Sequence, residues 1–186
     1  MYFVKSISED VRFAQLELRK HSKAKRLVLG TFLACMAAVL QIAGGFLPGI
    51  GYFISPFATL PILISAMFSF QMGVMSYFLT ILLLFILFPS ELVIFPFTTG
   101  LLGIGIGAAF SFFKKRLSII FGGAILLTIG IMSLLYIFHF PLLGPAVSDS
   151  FSVLTGGSIF IFSFLYSWLW VEMALFFFKK FKTFIT

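Results

Sequence analysis

Predominantly apolar runs occupy residues 27–47, 92–113, 117–138 and 157–178. At 1.5 Å of rise per residue, a helical run of about 20 residues crosses a hydrocarbon core of about 30 Å. These four runs therefore predict four membrane spans. A further apolar stretch, 57–88, is too long for one ordinary span and short for two, and it carries Gln71 and Gly73 near its middle.

The basic residues decide how that stretch is divided. All thirteen Lys and Arg fall in three blocks outside the apolar spans: seven within 5–26, three within 114–116 and three within 179–182. Basic blocks flanking spans mark the cytoplasmic side. If the first two blocks share the cytoplasm, an even number of crossings separates them, so 57–88 folds as two short helices, 57–70 and 72–88. The fold class expected is an all-α integral membrane protein with a bundle of six transmembrane helices over 27–182. Both termini face the cytoplasm, and Glu91, Asp149 and the Gly/Pro-rich connections 48–56 and 139–156 lie on the outer side. The competing arrangement keeps 57–88 as one tilted helix, giving five spans and placing one basic block outside.

Composition agrees with a lipid environment. Hydrophobic residues make up 61% of the 186 positions, charged residues 10%, and mean hydropathy is +1.16. No water-soluble domain hides that much apolar side chain. A net charge of +7 reads as anchoring on an anionic leaflet rather than as nucleic-acid binding. Cys35 is alone and mid-span, so there is neither a disulfide framework nor a cysteine metal set. Residues 1–26 carry acids and lack a short apolar core with a cleavage site, so they do not read as a signal peptide. They read instead as a cytoplasmic or interfacial amphipathic helix. "SISE" has the form of a capping box, Ser6 with Glu9, followed by an apolar stripe of Ile7, Val11, Ala14 and Leu18. That helix lies on the inner leaflet or serves as a handle for a partner, and it is expected to run into the first span around Lys25 to Leu29.

The first span gives up bulk. Gly30, Ala34 and Ala38 recur every four residues along one face, and Ala37, Gly44 and Gly45 widen the strip. Lipid tails are as apolar as Leu, so helix association in a bilayer depends on close backbone approach, which small residues permit. The strip either packs inside its own bundle or receives helices of another protein. Gly100, Gly103 and Gly107 form a second small face on the fourth span. "GIGIGA" is not a dinucleotide fingerprint, because it lacks the glycine spacing and lies within a span.

Three segments carry a family resemblance: "ACMAA" (34–38), "SPFATLPILISAMFSFQMGVMSYFLT" (55–80) and "FPFTTGLLGIGIGAAFSFFKKR" (95–116). Across roughly 27–182 the chain resembles the substrate-capturing membrane subunits (S components) of energy-coupling factor (ECF) transporters. The resemblance implies a subunit that captures a small solute, of the vitamin or micronutrient class, at its outer face. It also implies delivery through a transmembrane coupling subunit driven by two cytoplasmic ATPases, in a bacterial plasma membrane. Under it, Gly30, Ala34 and Ala38 become partner-contact residues. The amino-terminal helix departs from the compact family pattern.

Polar groups able to hold a solute gather on the outer side in the six-span arrangement: Tyr52, Ser55, Thr59, Glu91, Thr98, Thr99, His139 and Asp149, with Trp168 deep enough in the last span to face a pocket. Each has a plainer role. Glu91 can be solvated in a short turn, His139 interfacial and Asp149 a helix cap; Thr98 and Thr99 can bond their own helix backbone, and Trp168 can pack or anchor. Glu172 lies inside the last span, where it can pair with a snorkelling base or form a polar link within the bundle.

No metal set, nucleophile arrangement or nucleotide-binding loop of the GxxxxGK[ST] kind is present, so an enzyme is not expected, no cofactor is called for, and active transport would draw its energy from a partner. The other reading is a membrane scaffold of the bacterial envelope, similar in size and topology to the rod-shape membrane protein family. A scaffold needs small-residue faces and basic ends but no outer pocket. The outer set contains acids and hydroxyls but no Lys or Arg, which disfavours a strongly anionic solute.

Overall fold

The computed structural model describes Leu16 and residues 22–47, 49–140 and 153–185, the last eight as backbone alone. Among these there is no strand, and six helical segments are long and apolar enough to cross a membrane. The chain is a multi-pass, all-α membrane protein. The capping box at Ser6 and Glu9, the apolar stripe behind it and Asp149 lie outside the described residues.

The first span, α1 (Lys23–Phe46), does not continue from a preceding helix through Lys25 as the sequence led one to expect. Ser22 has non-helical backbone angles (φ −58°, ψ 153°), and its Oγ accepts the Lys25 N–H at 3.4 Å. A serine that satisfies one of the orphan N–H groups of the first turn sets the start.

The second span begins earlier than residue 57. After α1 the chain reverses through Gly49, whose φ of 81° favours glycine. It then enters α2 (Gly51–Ile54), a 3₁₀ turn (Ser55–Ala58) and α3 (Thr59–Phe68) as one spanning segment. Gly51 permits this early start: a Cβ there would overlap the carbonyl oxygen of Ala43. Much of the expected outer connection 48–56 is therefore helical, and Tyr52 and Ser55 stand on a wound backbone.

The stretch 57–88 does divide in two. Ser69 is extended (φ −160°, ψ 130°) between α3 and α4 (Phe70–Leu87). The fourth span, Pro89–Phe112, is interrupted: a 3₁₀ turn (Pro89–Leu92), α5 (Ile94–Phe97), a kink at Thr98 (φ −119°, ψ −96°) and α6 (Thr99–Phe112). The fifth and sixth are α7 (Arg116–Tyr136) and α8 (Val153–Ile185). Four spans separate the starts of α1 and α7, so both of those basic ends lie at one end of the bundle.

The bundle is centred on α3 and α6, which pack closely on each other; α1 lies against α4, and α7 against both α6 and α8. Leu63, Met67, Leu102, Ile106, Ile120 and Trp170 form the fully buried middle. Glycine makes the central crossing possible, because a Cβ on Gly103 would come within 2.9 Å of the Thr59 carbonyl and one on Gly107 would overlap Ala66 Cβ.

The small-residue strip of α1 also belongs to this interior, which corrects its expected role as a partner surface. Ala34, Ala37 and Ala38 are 0, 0 and 1% exposed, and Gly30 is buried. The strip meets α4: Ser76 Oγ donates to the Gly30 carbonyl at 3.0 Å, and Thr80 Oγ1 to the Ala34 carbonyl at 3.2 Å. Removing bulk from α1 lets the hydroxyls of α4 reach its backbone. Meanwhile Val28, Phe32, Met36 and Val39 point outward. Ala34→Leu is accordingly expected to destabilise the isolated subunit by about 1–3 kcal/mol through overpacking, while Met36→Ala leaves it nearly unchanged. Thermal unfolding of the detergent-purified variants checks this, and equal midpoints would contradict the sealed strip.

Candidate functional site

Gln41 is 1% exposed in α1, near the end remote from the basic clusters. A buried amide must satisfy both its ends. Its Nε2 donates to Glu91 Oε2 at 2.8 Å, and its Oε1 accepts from Thr99 Oγ1 at 2.8 Å. Two spanning segments contribute to the wall of which this link is part: α1, and the fourth span through both the 3₁₀ turn that opens it and the first residue of α6. The acceptor-only carboxylate fixes which end of the amide faces it.

Local sequence explains how an acid enters this place. Pro89 opens the 3₁₀ turn that carries Glu91, tucking its side chain back against α1. Gly44 and Gly45 leave room for it: a Cβ on Gly45 would lie 3.3 Å from Glu91 Oε1 and would also overlap the Phe88 ring. The kink at Thr98, whose Oγ1 donates to the Ile94 carbonyl at 2.8 Å, then turns α6 so that Thr99 meets Gln41.

The linked side chains open onto a cavity of about 750 Å³. One side is polar, with Gln41, Ser55, Glu91, Thr98 and Thr99; Leu127 and Ile131 of α7 form an apolar side. The last helix adds Ser158, Ile159, Phe162 and Tyr166, and Phe140 contributes from the chain after α7. Tyr52, 74% exposed, stands at the rim. Small-molecule sites are commonly apolar clefts of roughly this size with a few placed polar groups.

Five residues selected from the sequence thus share one cavity: Tyr52, Ser55, Glu91, Thr98 and Thr99. Glu91 is not a solvated turn residue; it is 9% exposed and hydrogen-bonded. Three others take different positions. Thr59 is fully buried and outside the lining, one helical turn past Ser55. His139, with φ 51°, is exposed where the chain leaves α7, and its neighbour Phe140 lines the cavity instead. Trp168 is 39% exposed and off the lining; from α8 it is the exposed Phe162 and the half-buried Tyr166 that line the cavity instead.

Gln41 was missed, although it is the sole amide in the run 27–47 and a polar side chain in a span needs a partner. Phe162 and Tyr166 gave no comparable signal among the many aromatic residues of the last span.

At the opposite end, Glu172 of α8 pairs with Arg116 of α7 at 3.1 Å. A base that Glu172 meets is thus on the neighbouring helix. This pair ties α7 to α8 near the basic end, and among the described residues Glu91 is the acid that lines the cavity. Among the described residues no group of three His, Cys, Asp or Glu is placed to hold a metal ion. Comparison of the chain with protein-family models, curated proteins and solved structures gives no match.

Proposed function

We propose that this protein captures a small solute in the cavity walled by Gln41, Glu91 and Thr99 and passes it on in association with a partner. The observation that carries this reading is the cavity itself: about 750 Å³, with a fixed hydrogen-bonded polar wall facing an apolar one. A fixed donor–acceptor set in an apolar hollow orients a small molecule. A scaffold of the rod-shape kind has no use for such a hollow, so the cavity favours capture.

Membrane placement follows from charge. With the basic ends in the cytoplasm of a bacterial plasma membrane, both termini are cytoplasmic and the cavity opens outward. The resemblance to S components supplies the second half of the proposal: an ECF coupling subunit, with its two ATPases, provides the energy. Its docking face is not the Gly30–Ala34–Ala38 strip, which this bundle fills for itself. The outward face of α1, with Val28, Phe32, Met36 and Val39, is the available part of that helix.

Native mass spectrometry of the subunit purified in mild detergent tests the proposal. The expected spectrum contains the 20.8 kDa chain with a bound small molecule that is displaced at high collision energy. A chain carrying only lipid and detergent, from cells grown in rich medium, would remove the capture reading.

A further inference from the structure

Among the described residues, the cavity holds one carboxylate and no counter-charge. Glu91 receives one hydrogen bond, from Gln41 to its Oε2. Among the described residues, nothing donates to its Oε1, and no cation lies within ion-pair distance. Nor does the sequence offer one nearby: there is no Lys or Arg from 27 to 113 or from 117 to 178, and the basic starts of α1 and α7 lie at the other end of the bundle. Burying an ionised carboxylate without a partner is costly. Gly44 and Gly45 nevertheless make room for it, and the Pro89 turn directs it inward.

The cavity that Glu91 lines also has aromatic walls. Phe140, Phe162 and Tyr166 line it and Tyr52 stands at its rim. Aromatic faces attract organic cations through the ring quadrupole, most strongly where water is excluded. A single carboxylate is a poor site for a divalent metal ion, which takes six or more oxygen ligands or several His and Cys. A carboxylate sharing a cavity with aromatic rings suits a protonated amine or a quaternary ammonium.

We infer that the captured solute is an organic cation, its positive nitrogen set against Glu91 and its apolar body against Leu127, Ile131 and the aromatic wall. The inference rests on the capture reading and names its substrate class. Gln41 positions the carboxylate, Thr99 fixes Gln41, and the free Oε1 receives the ligand. The solute brings the charge that this end of the bundle lacks.

Two measurements on the full chain in detergent test it. The first identifies the molecule retained by the wild type: an amine or quaternary ammonium compound is expected. A neutral or anionic molecule overturns the cation assignment and leaves capture standing, whereas an empty protein removes both. The second titrates ligand-stripped wild type and Glu91→Gln with three probes of similar shape: tryptamine, indole-3-acetamide and indole-3-acetate. Glutamine preserves the acceptor for Gln41, so the fold is expected to persist. Wild type should favour tryptamine over the other two by at least tenfold, and Glu91→Gln should weaken tryptamine by at least about thirtyfold while changing the amide little. Absence of the preference in the wild type, or its persistence in the variant, overturns the inference.

Discussion

Leucine at Gly107 is expected to produce the largest loss of folded protein of any single change in the membrane domain. Gly107 lies where α6 crosses α3, and even the first added carbon would overlap Ala66 Cβ, with the Ala66 carbonyl carbon and the Leu63 oxygen each 3.2 Å away. Those neighbours are backbone atoms and a methyl group with no rotamer to change, so the helices themselves must separate. Separation would loosen the core that Leu63, Leu102 and Ile106 share. Overpacking costs of this kind reach about 3 kcal/mol. By the scaling that holds for soluble domains of 150–250 residues, that is a fall of roughly 6–12 °C in the unfolding midpoint. Gly122→Ala is the control, since its new Cβ comes no nearer than 3.7 Å to Ala109 Cβ. Its midpoint should stay close to that of the parent. If both variants melt like the parent, the close crossing of α3 and α6 is wrong.

Gln41→Leu should damage both stability and solute retention. Leucine has similar bulk, so packing is largely kept, but the change deprives Glu91 of its hydrogen-bond donor and Thr99 of its acceptor. Stranding buried polar groups costs about 1–3 kcal/mol, and more for a charged one. The carboxylate is then free to swing, so the solute loses its fixed anchor. Occupancy in native spectra should drop at least tenfold. Thr99→Val breaks only the outer hydrogen bond of the relay, costs about 1 kcal/mol, and should leave most of the solute bound. A Gln41→Leu protein that melts and binds like the parent would show that the relay does not organise the cavity.

These two residues also show what was legible beforehand. Glycine at 100, 103 and 107 announced a close crossing, because only close backbone approach explains small residues spaced along a span. Which helix it approaches was not written in that spacing. The same ambiguity misled the reading of Gly30, Ala34 and Ala38. A bulk-free strip serves an internal neighbour and an external partner equally well, and only the positions of Ser76 and Thr80 on α4 decide for the internal one. Parity of the basic blocks divided 57–88 into two helices without any structural information. The start of the second span escaped that reasoning, since Gly51 looks like loop sequence until Ala43 is seen against it.

For the cavity, the pattern of charge gathered Tyr52, Ser55, Glu91, Thr98 and Thr99 on one side, because topology alone dictates which connections share a rim. It could not tell that Glu91 turns inward or that Gln41 meets it, fifty residues away in the chain. The membrane itself explains the division. Apolar length and flanking charge are local properties that lipid and water read directly, so the sequence by itself determined the spans and their common ends. Helix pairing, the sealed strip and the Gln41–Glu91–Thr99 relay depend on rotation of each helix about its axis. That rotation is set by mutual packing among faces nearly equal in hydrophobicity, and only the tertiary structure decided it.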